Sequence, residues 1–189
     1  QIRRPEMVSC GSPGIGIQLQ VGKHRGRIVF PLYQALPLGD NNRTWKTCAV
    51  YSDDDGKTWQ RGENIDEGDT IGISNEAQLV ELSDGSIMIS ARNQGGTRRK
   101  LAVSRDGGVH FEPYRLADEL RTPACMASIL RYAPGLLLHT IPFGDERADG
   151  RLFSSDDDGK TWQDILTREG RFEIHFKRIP KYLVQRRDT

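Results

Sequence analysis

The chain has 189 residues, 36% hydrophobic and 28% charged, which is enough apolar material for one sizeable core and unlike the composition of a disordered segment. Its formal charge of +1 gives no long-range field of the kind that draws proteins to nucleic acid or anionic membranes, and no stretch has the apolar length of a membrane span. Twenty glycines and nine prolines argue against a helical bundle and for short strands broken often by turns.

The opening Gln1-Ile2-Arg3-Arg4-Pro5 has neither an initiator Met nor an apolar signal core, and reads as a processed product or an excerpt. Arg27 to Tyr33 reads as a strand after the basic turn at Lys23 to Gly26, and Thr47 to Tyr51 as the strand entering a first acidic turn. Between them Asn42-Arg43-Thr44 is a glycosylation sequon, meaningful only in a secreted chain. Ala77 to Leu82 is predicted as a strand, Ser83-Asp84-Gly85-Ser86 as a hairpin turn, Ile87 to Ala91 as its partner, and Lys100 to Ser104 as a strand feeding a second such turn. Met126 to Tyr132, the turn Ala133-Pro134-Gly135, Leu136 to Ile141 and Arg151 to Ser154 repeat the plan, with Leu136, Leu137 and Leu138 as core. Beyond Trp162 the sequence changes character. Arg168 to Asp188 is crowded with Arg and Lys and reads as a solvated tail, so the expected organisation is a partial β-propeller over 1–170 and a basic tail over 171–189.

One eight-residue turn recurs three times, as Ser52 to Trp59, Ser104 to Phe111 and Ser155 to Trp162, with a period of about 50 residues. A period of that size with one aromatic turn per unit marks a propeller blade of four short strands. The Ser and Asp side chains can accept bonds from nearby backbone N–H groups, the Gly supplies a positive φ, and Trp59, Phe111 and Trp162 anchor the turn by burial. Each turn is expected to join the two outer strands of a blade. A calcium loop is the rival reading, and its spacing fails. Counted onto Gly56 it would begin at Tyr51 and end at Gly62, and counted onto Gly159 it would begin at Ser154 and end at Ile165, so neither has the terminal carboxylate. Cys10, Cys48 and Cys125 show no CxxC spacing, so neither a zinc site nor a complete disulfide framework is written here.

Three polar residues sit where a blade does not need them: Glu76 just before an apolar strand, Arg92 at the end of the neighbouring one, and Arg147 in a loop between two strands of the following blade. The inner strands of adjacent blades point their ends at one axis, so these groups are expected to converge as an anion site with an attached base. Singly, each has a plainer reading as a solvated strand or loop residue.

At these positions the chain resembles the sialidase (neuraminidase) family of the bacterial and animal type, six-bladed propellers that carry several such turns, called Asp boxes. The resemblance covers residues 9 to 162. Ser12-Pro13-Gly14-Ile15-Gly16-Ile17-Gln18 with Gly26-Arg27-Ile28-Val29 is similar to the family's G-P-G-x-G-I-Q segment and its following strand. Asn75-Glu76-Ala77-Gln78, Asp84-Gly85-Ser86 and Ala91-Arg92-Asn93-Gln94 are similar to its E-x-Q, D-G-S and A-R-N-Q signature, closest to the animal lysosomal type.

The resemblance implies retaining hydrolysis of a terminal sialic acid from a sialylated glycan, with no metal or organic cofactor. It implies that Arg92 and Arg147 are the second and third of three arginines gripping the sugar's carboxylate, since a planar guanidinium matches two carboxylate oxygens. It makes Glu76 the base for a tyrosine nucleophile, because a phenol with pKa near 10 needs one and a carboxylate nucleophile would be repelled by the substrate's own carboxylate. A secreted or lysosomal compartment is implied as well. The departures are specific. No Tyr follows Trp162 where the nucleophile belongs; His175 stands near that place, and the blade that holds the first arginine and the acid or base aspartate is missing. Phe176-Lys177-Arg178-Ile179-Pro180 is similar to the family's opening F-R-I-P segment with one extra residue, which in a permuted order would make Arg178 the missing arginine. Two other readings stay open: a non-catalytic Asp-box propeller that binds glycans or proteins, and a lectin that keeps carboxylate capture without chemistry.

Overall fold

A computed structural model describes residues 8–39, 42–70 and 72–165. The expected basic tail over 171–189, with His175 and Arg178, lies outside the described residues. The strands are β1 (Val8–Gly11), β2 (Ile17–Gln18), β3 (Ile28–Gly39), β4 (Asn42–Ser52) and β5 (Gln60–Arg61), then β6 (Ile73–Glu81), β7 (Ile87–Gln94), β8 (Arg98–Ser104) and β9 (Arg115–Arg121), then β10 (Ser128–Ala133), β11 (Leu136–Pro142), β12 (Gly150–Ser155) and β13 (Gln163–Asp164). They form three consecutive antiparallel sheets, the blades, with no helix among the described residues. Blades 2 and 3 are four-stranded meanders, β6-β7-β8-β9 and β10-β11-β12-β13. Blade 1 is ordered β1-β3-β4-β5, with β2 also paired to β3, so its first strand comes in two pieces around the Pro13 and Gly14 segment.

Blade 2 lies between its neighbours, and its strands send alternate residues into two cores, as the strand period of two requires. Leu79, Ile87, Ile89, Ala91 and Ala102 pack with Leu19, Val29, Ala49 and Tyr51 of blade 1. Val80, Met88, Leu101, Ala117 and Leu120 pack with Ile129, Leu137, Ile141, Phe153 and Trp162 of blade 3. A strand buried on both faces reads as a continuous apolar run, which is what Ile87-Met88-Ile89 is.

All three boxes follow the third strand of their blade and lead to the fourth, as the sequence predicts. In the first, Ser52 Oγ accepts from the Gly56 N–H at 2.9 Å, and Asp54 accepts from the Thr58 N–H and hydroxyl at 2.8 and 2.6 Å. The third repeats this atom for atom with Ser155, Gly159, Asp157 and Thr161. Asp55 and Asp158 take φ of 57° and 58°, a left-handed conformation tolerated by Asp, and Gly56 and Gly159 follow in the same region. In the second box His110 stands where the others have Thr, and its Nδ1 meets Asp106 Oδ2 at 2.6 Å.

The boxes also stitch blade to blade. Arg27 of blade 1 pairs with Asp53 of its own box through two bonds of 2.7 and 2.8 Å and donates to the Gly107 carbonyl of the next. Arg115 of blade 2 donates to the Gly159 carbonyl of the third box, while Ser83 donates to Asp158 there through both its N–H and its hydroxyl. The turns are therefore structural groups, and the candidate chemistry lies at other strand ends.

Candidate functional site

The hairpin β6-β7 turns at Asp84-Gly85-Ser86, where Asp84 Oδ1 accepts from the Ser86 N–H at 2.9 Å and Gly85 takes a φ of 82°. At its far end the register slips. Ala77 pairs with Ala91 and Ser74 with Asn93, so Asn75 and Glu76 together oppose the single residue Arg92. This is a β-bulge, which kinks the strand and re-aims a side chain. Glu76 and Arg92 thus lie inside β6 and β7, where the sequence placed them just before one strand and at the end of the other. Arg92 Nη1 donates to Glu76 Oε2 at 2.8 Å, with the two side chains 18% and 27% exposed, so the pair is reachable from solvent. Arg92 Nε is buried without a partner.

The bulge is held on both flanks. On one side Glu67 accepts from the N–H and hydroxyl of Ser74 at 3.1 and 2.8 Å and from Lys100 Nζ at 2.7 Å. Tyr114 and Thr47 extend that chain of hydroxyls, and burial pushes the Tyr114 phenol up, away from ionisation. On the other side Ser12 Oγ bonds both the N–H and the carbonyl of Ala77 at 2.5 Å. A Cβ on Gly14 would come within 2.4 Å of the same carbonyl, so the chain can lie against β6 beside the bulge at that point only because Gly14 has no side chain. Gln78, the last residue of the E-x-Q signature, is buried and donates to the Ile129 carbonyl at 2.9 Å, which ties β6 to the inner strand of blade 3.

Arg147 does not join the pair directly. It is exposed in the loop between β11 and β12, donates from Nη2 to the Ala124 carbonyl at 3.0 Å, and borders an open groove of ≈ 540 Å³ with Met126, Ile141, Pro142 and Leu152. The structure therefore brings Glu76 and Arg92 together and leaves Arg147 one loop away.

Sequence reasoning missed the residue that spans this gap. Arg99, fully buried on β8, donates from Nη1 to the Cys125 carbonyl at 2.9 Å, next to the carbonyl that Arg147 holds. Its other bonds go to Ser90 Oγ and O, both at 3.1 Å, and Ser90 Oγ meets His139 Nε2 at 2.8 Å. Burial brings the Arg99 pKa down to about 10, with the charge of Glu76 opposing that shift, and pushes His139 down to about 3, so at neutral pH the first is charged and the second is not. Only the run Arg98-Arg99-Lys100 hinted at this, and it reads equally well as a solvated strand start. Among the described residues no cluster of His, Cys, Asp and Glu has the makings of a metal site; Cys48 and Cys125 are buried free thiols. No helix among them is long and apolar enough to cross a membrane.

Comparison with known proteins agrees with this architecture. The BNR repeat-like domain matches residues 10–176. A sialidase of Micromonospora viridifaciens is 34% identical over 160 residues, 79% of this chain and 23% of the relative. The anhydrosialidase of Macrobdella decora is 28% identical over 174 residues, 85% of this chain and 21% of the relative. The chain thus spans less than a quarter of the length of either relative. Among solved structures a Hadza microbial sialidase superposes with a TM-score of 0.70 at 28% identity, covering 86% of this chain and 31% of that one. With its three box-bearing blades and these relatives, the chain belongs to the sialidase-like glycoside hydrolase family of BNR-repeat propellers.

Proposed function

We propose that this chain supplies part of an exo-α-sialidase site, the part that grips the carboxylate of a terminal sialic acid and prepares the attacking group. The observation that carries the reading is the bulge that faces Glu76 to Arg92 across one hairpin, at 2.8 Å and in reach of solvent. An arriving carboxylate exchanges its water for the planar donors of Arg92, with Arg147 reaching in from the next blade as a second fork. Glu76, released from its ion pair, is then free to accept a proton from the hydroxyl of a tyrosine nucleophile; its attack breaks the glycosidic bond, the aglycone leaves as an alcohol protonated by a general acid, and water opens the covalent glycosyl-enzyme with net retention. The nucleophile, the general acid and the first arginine are assigned to no residue of this chain. A carbohydrate-binding propeller without turnover is the second reading, favoured by His175 standing near the place where the family resemblance expects the tyrosine.

The test has two arms. Titration of the chain with free sialic acid, followed by ligand-observed NMR, is expected to show binding that Arg92→Ala weakens by about 10- to 100-fold, the value of a charge-assisted bidentate contact. Binding of sialic acid that ignores Arg92→Ala would overturn the site assignment. Release of a fluorogenic sialoside, measured in a longer protein that includes these residues, then separates enzyme from lectin. Glu76→Gln should lower kcat there with little change in KM, because the amide keeps the shape and loses the base.

A further inference from the structure

Arg99 has a neighbour on β8 that shows what is unusual about it. Lys100 is also fully buried and faces the other side of the blade, where Glu67 supplies a carboxylate at 2.7 Å. A buried charge without a partner is costly, and natural proteins pair it. Arg99 is bonded only to neutral acceptors, namely Ser90 Oγ, Ser90 O and Cys125 O. The charges acting on it include those of Glu76 and Arg92. Arg92 and Arg99 therefore share the single carboxylate Glu76, and this pair of cations is one negative charge short until an anionic ligand arrives.

From the geometry we infer that Arg99 is a positioning residue for anion recognition: it fixes the Ala124-Cys125 loop on which Arg147 rests and adds a permanent positive charge behind Glu76 and Arg92. This rests on the carboxylate-gripping role proposed above. The bonds run in one line: Ser90, on the same strand as Arg92, holds Arg99; Arg99 holds the Cys125 carbonyl; the adjacent Ala124 carbonyl holds Arg147 at 3.0 Å. Arg99 is therefore the link that sets the spacing between the half-buried fork of Arg92 and the exposed fork of Arg147. Its charge also serves a second purpose. When Arg92 turns to a ligand's carboxylate, Glu76 loses its direct partner, and the fixed charge of Arg99 offsets part of the repulsion between the two carboxylates.

The test compares sialic acid with its uncharged methyl ester as ligands for the full chain and for Arg99→Met and Arg99→Lys. The wild type is expected to prefer the acid by at least about tenfold, the scale of one charge-assisted contact. Arg99→Met should lose most of that preference while its affinity for the ester changes little, and Arg99→Lys, which keeps the charge but not the three directed bonds, should recover part of it. Equal weakening toward both ligands would mean that Arg99 only supports the fold and would overturn the inference, as would an unchanged ratio in Arg99→Met. Should Arg99→Met fail to fold, the Lys variant decides: a preference lowered by about threefold or more supports positioning, and an unaltered one overturns it. A wild type that binds acid and ester alike defeats the carboxylate reading itself, and this inference with it.

Discussion

Blades 2 and 3 share one plan of strands, hairpin and box, yet their residues are distributed very differently. In blade 2 the hairpin strands β6 and β7 are buried on both faces apart from the ends near Glu76 and Arg92, and the adjoining β8 encloses two whole cations. In blade 3 the inner strand β10 alternates: Ile129 is buried against blade 2, while Leu130 and Tyr132 are 46% and 59% exposed. The other exposed large hydrophobics among the described residues, Ile15 and Phe30, belong to blade 1. Among the described residues, what separates the blades is the number of neighbours. A sheet packed on both sides can carry apolar residues at every position and can desolvate a charge completely, whereas a sheet packed on one side keeps the strand alternation and leaves its charges wet. The candidate site falls at the edge of the doubly covered blade, where a guanidinium can be half-desolvated and still reach solvent.

The largest expected effect comes from breaking that core on its two sides. Leu101→Ala empties a fully buried position between blades 2 and 3 and should cost about 2–5 kcal/mol. Leu130→Ala, on the uncovered face of β10, should stay within about 0.5 kcal/mol. Urea unfolding of the two variants measures both, and similar costs would mean that β10 is covered in solution.

A second effect uses the buried His139, which sits edge-on to Trp162 at 5.4 Å between the same two blades. Burial is the main cause of its depressed pKa, about 3, with the Arg99 charge adding to it. Its stabilising contribution is therefore complete above the ordinary histidine pKa of about 6.5 and is lost as pH falls toward 3, at up to about 1.4 kcal/mol per pH unit. Urea midpoints at pH 7 and 5 should drop more for the wild type than for His139→Gln, and parallel drops would show that His139 titrates normally.

Asp157→Ala tests a box rather than a core. It removes the acceptor for Ser155 Oγ, for the Lys160 and Thr161 N–H groups and for the Thr161 hydroxyl, at a cost of about 1–3 kcal/mol. Because Trp162 follows immediately and packs in the core between blades 2 and 3, near-ultraviolet circular dichroism should change together with the melting temperature.

These comparisons also show where the sequence was informative. The boxes and the β6-β7 hairpin were legible because their turn chemistry is local: Ser, Asp and Gly bond within a few residues. The outer strands β5 and β13, two residues each, carry no pattern and exist only through pairing with β4 and β12. β9 has Asp118, Glu119 and Arg121 among few apolar residues and gave no strand signal either. The positions of Glu76, Arg92 and Arg147 could be named from motif, but the bulge that faces the first two to each other is a matter of register, which no local stretch encodes. Arg99 was unreadable for a related reason. Its burial follows from blade 3 covering β8, a contact between residues far apart in the chain.

The smallest effect separates the second box from the other two. His110 replaces the Thr of the first and third boxes, and the hydrogen bond it donates to Asp106 raises its pKa above 6.5, while the Asp106 carboxyl, against the opposing effect of burial, is held down at about 2 by the bonds it accepts from His110 and Ser104. For a histidine whose folded pKa is raised, the contribution is fully present below 6.5 and disappears as pH climbs through the raised value. The pair is exposed, so salt and water screen it strongly. The wild-type melting temperature should therefore drift slightly downward between pH 6 and 9, a drift absent from His110→Thr, whose hydroxyl bonds Asp106 at every pH in that range as Thr58 bonds Asp54. If both proteins drift alike, the second box is held by its backbone N–H donors alone, and the exchange of Thr for His between blades is without thermodynamic effect.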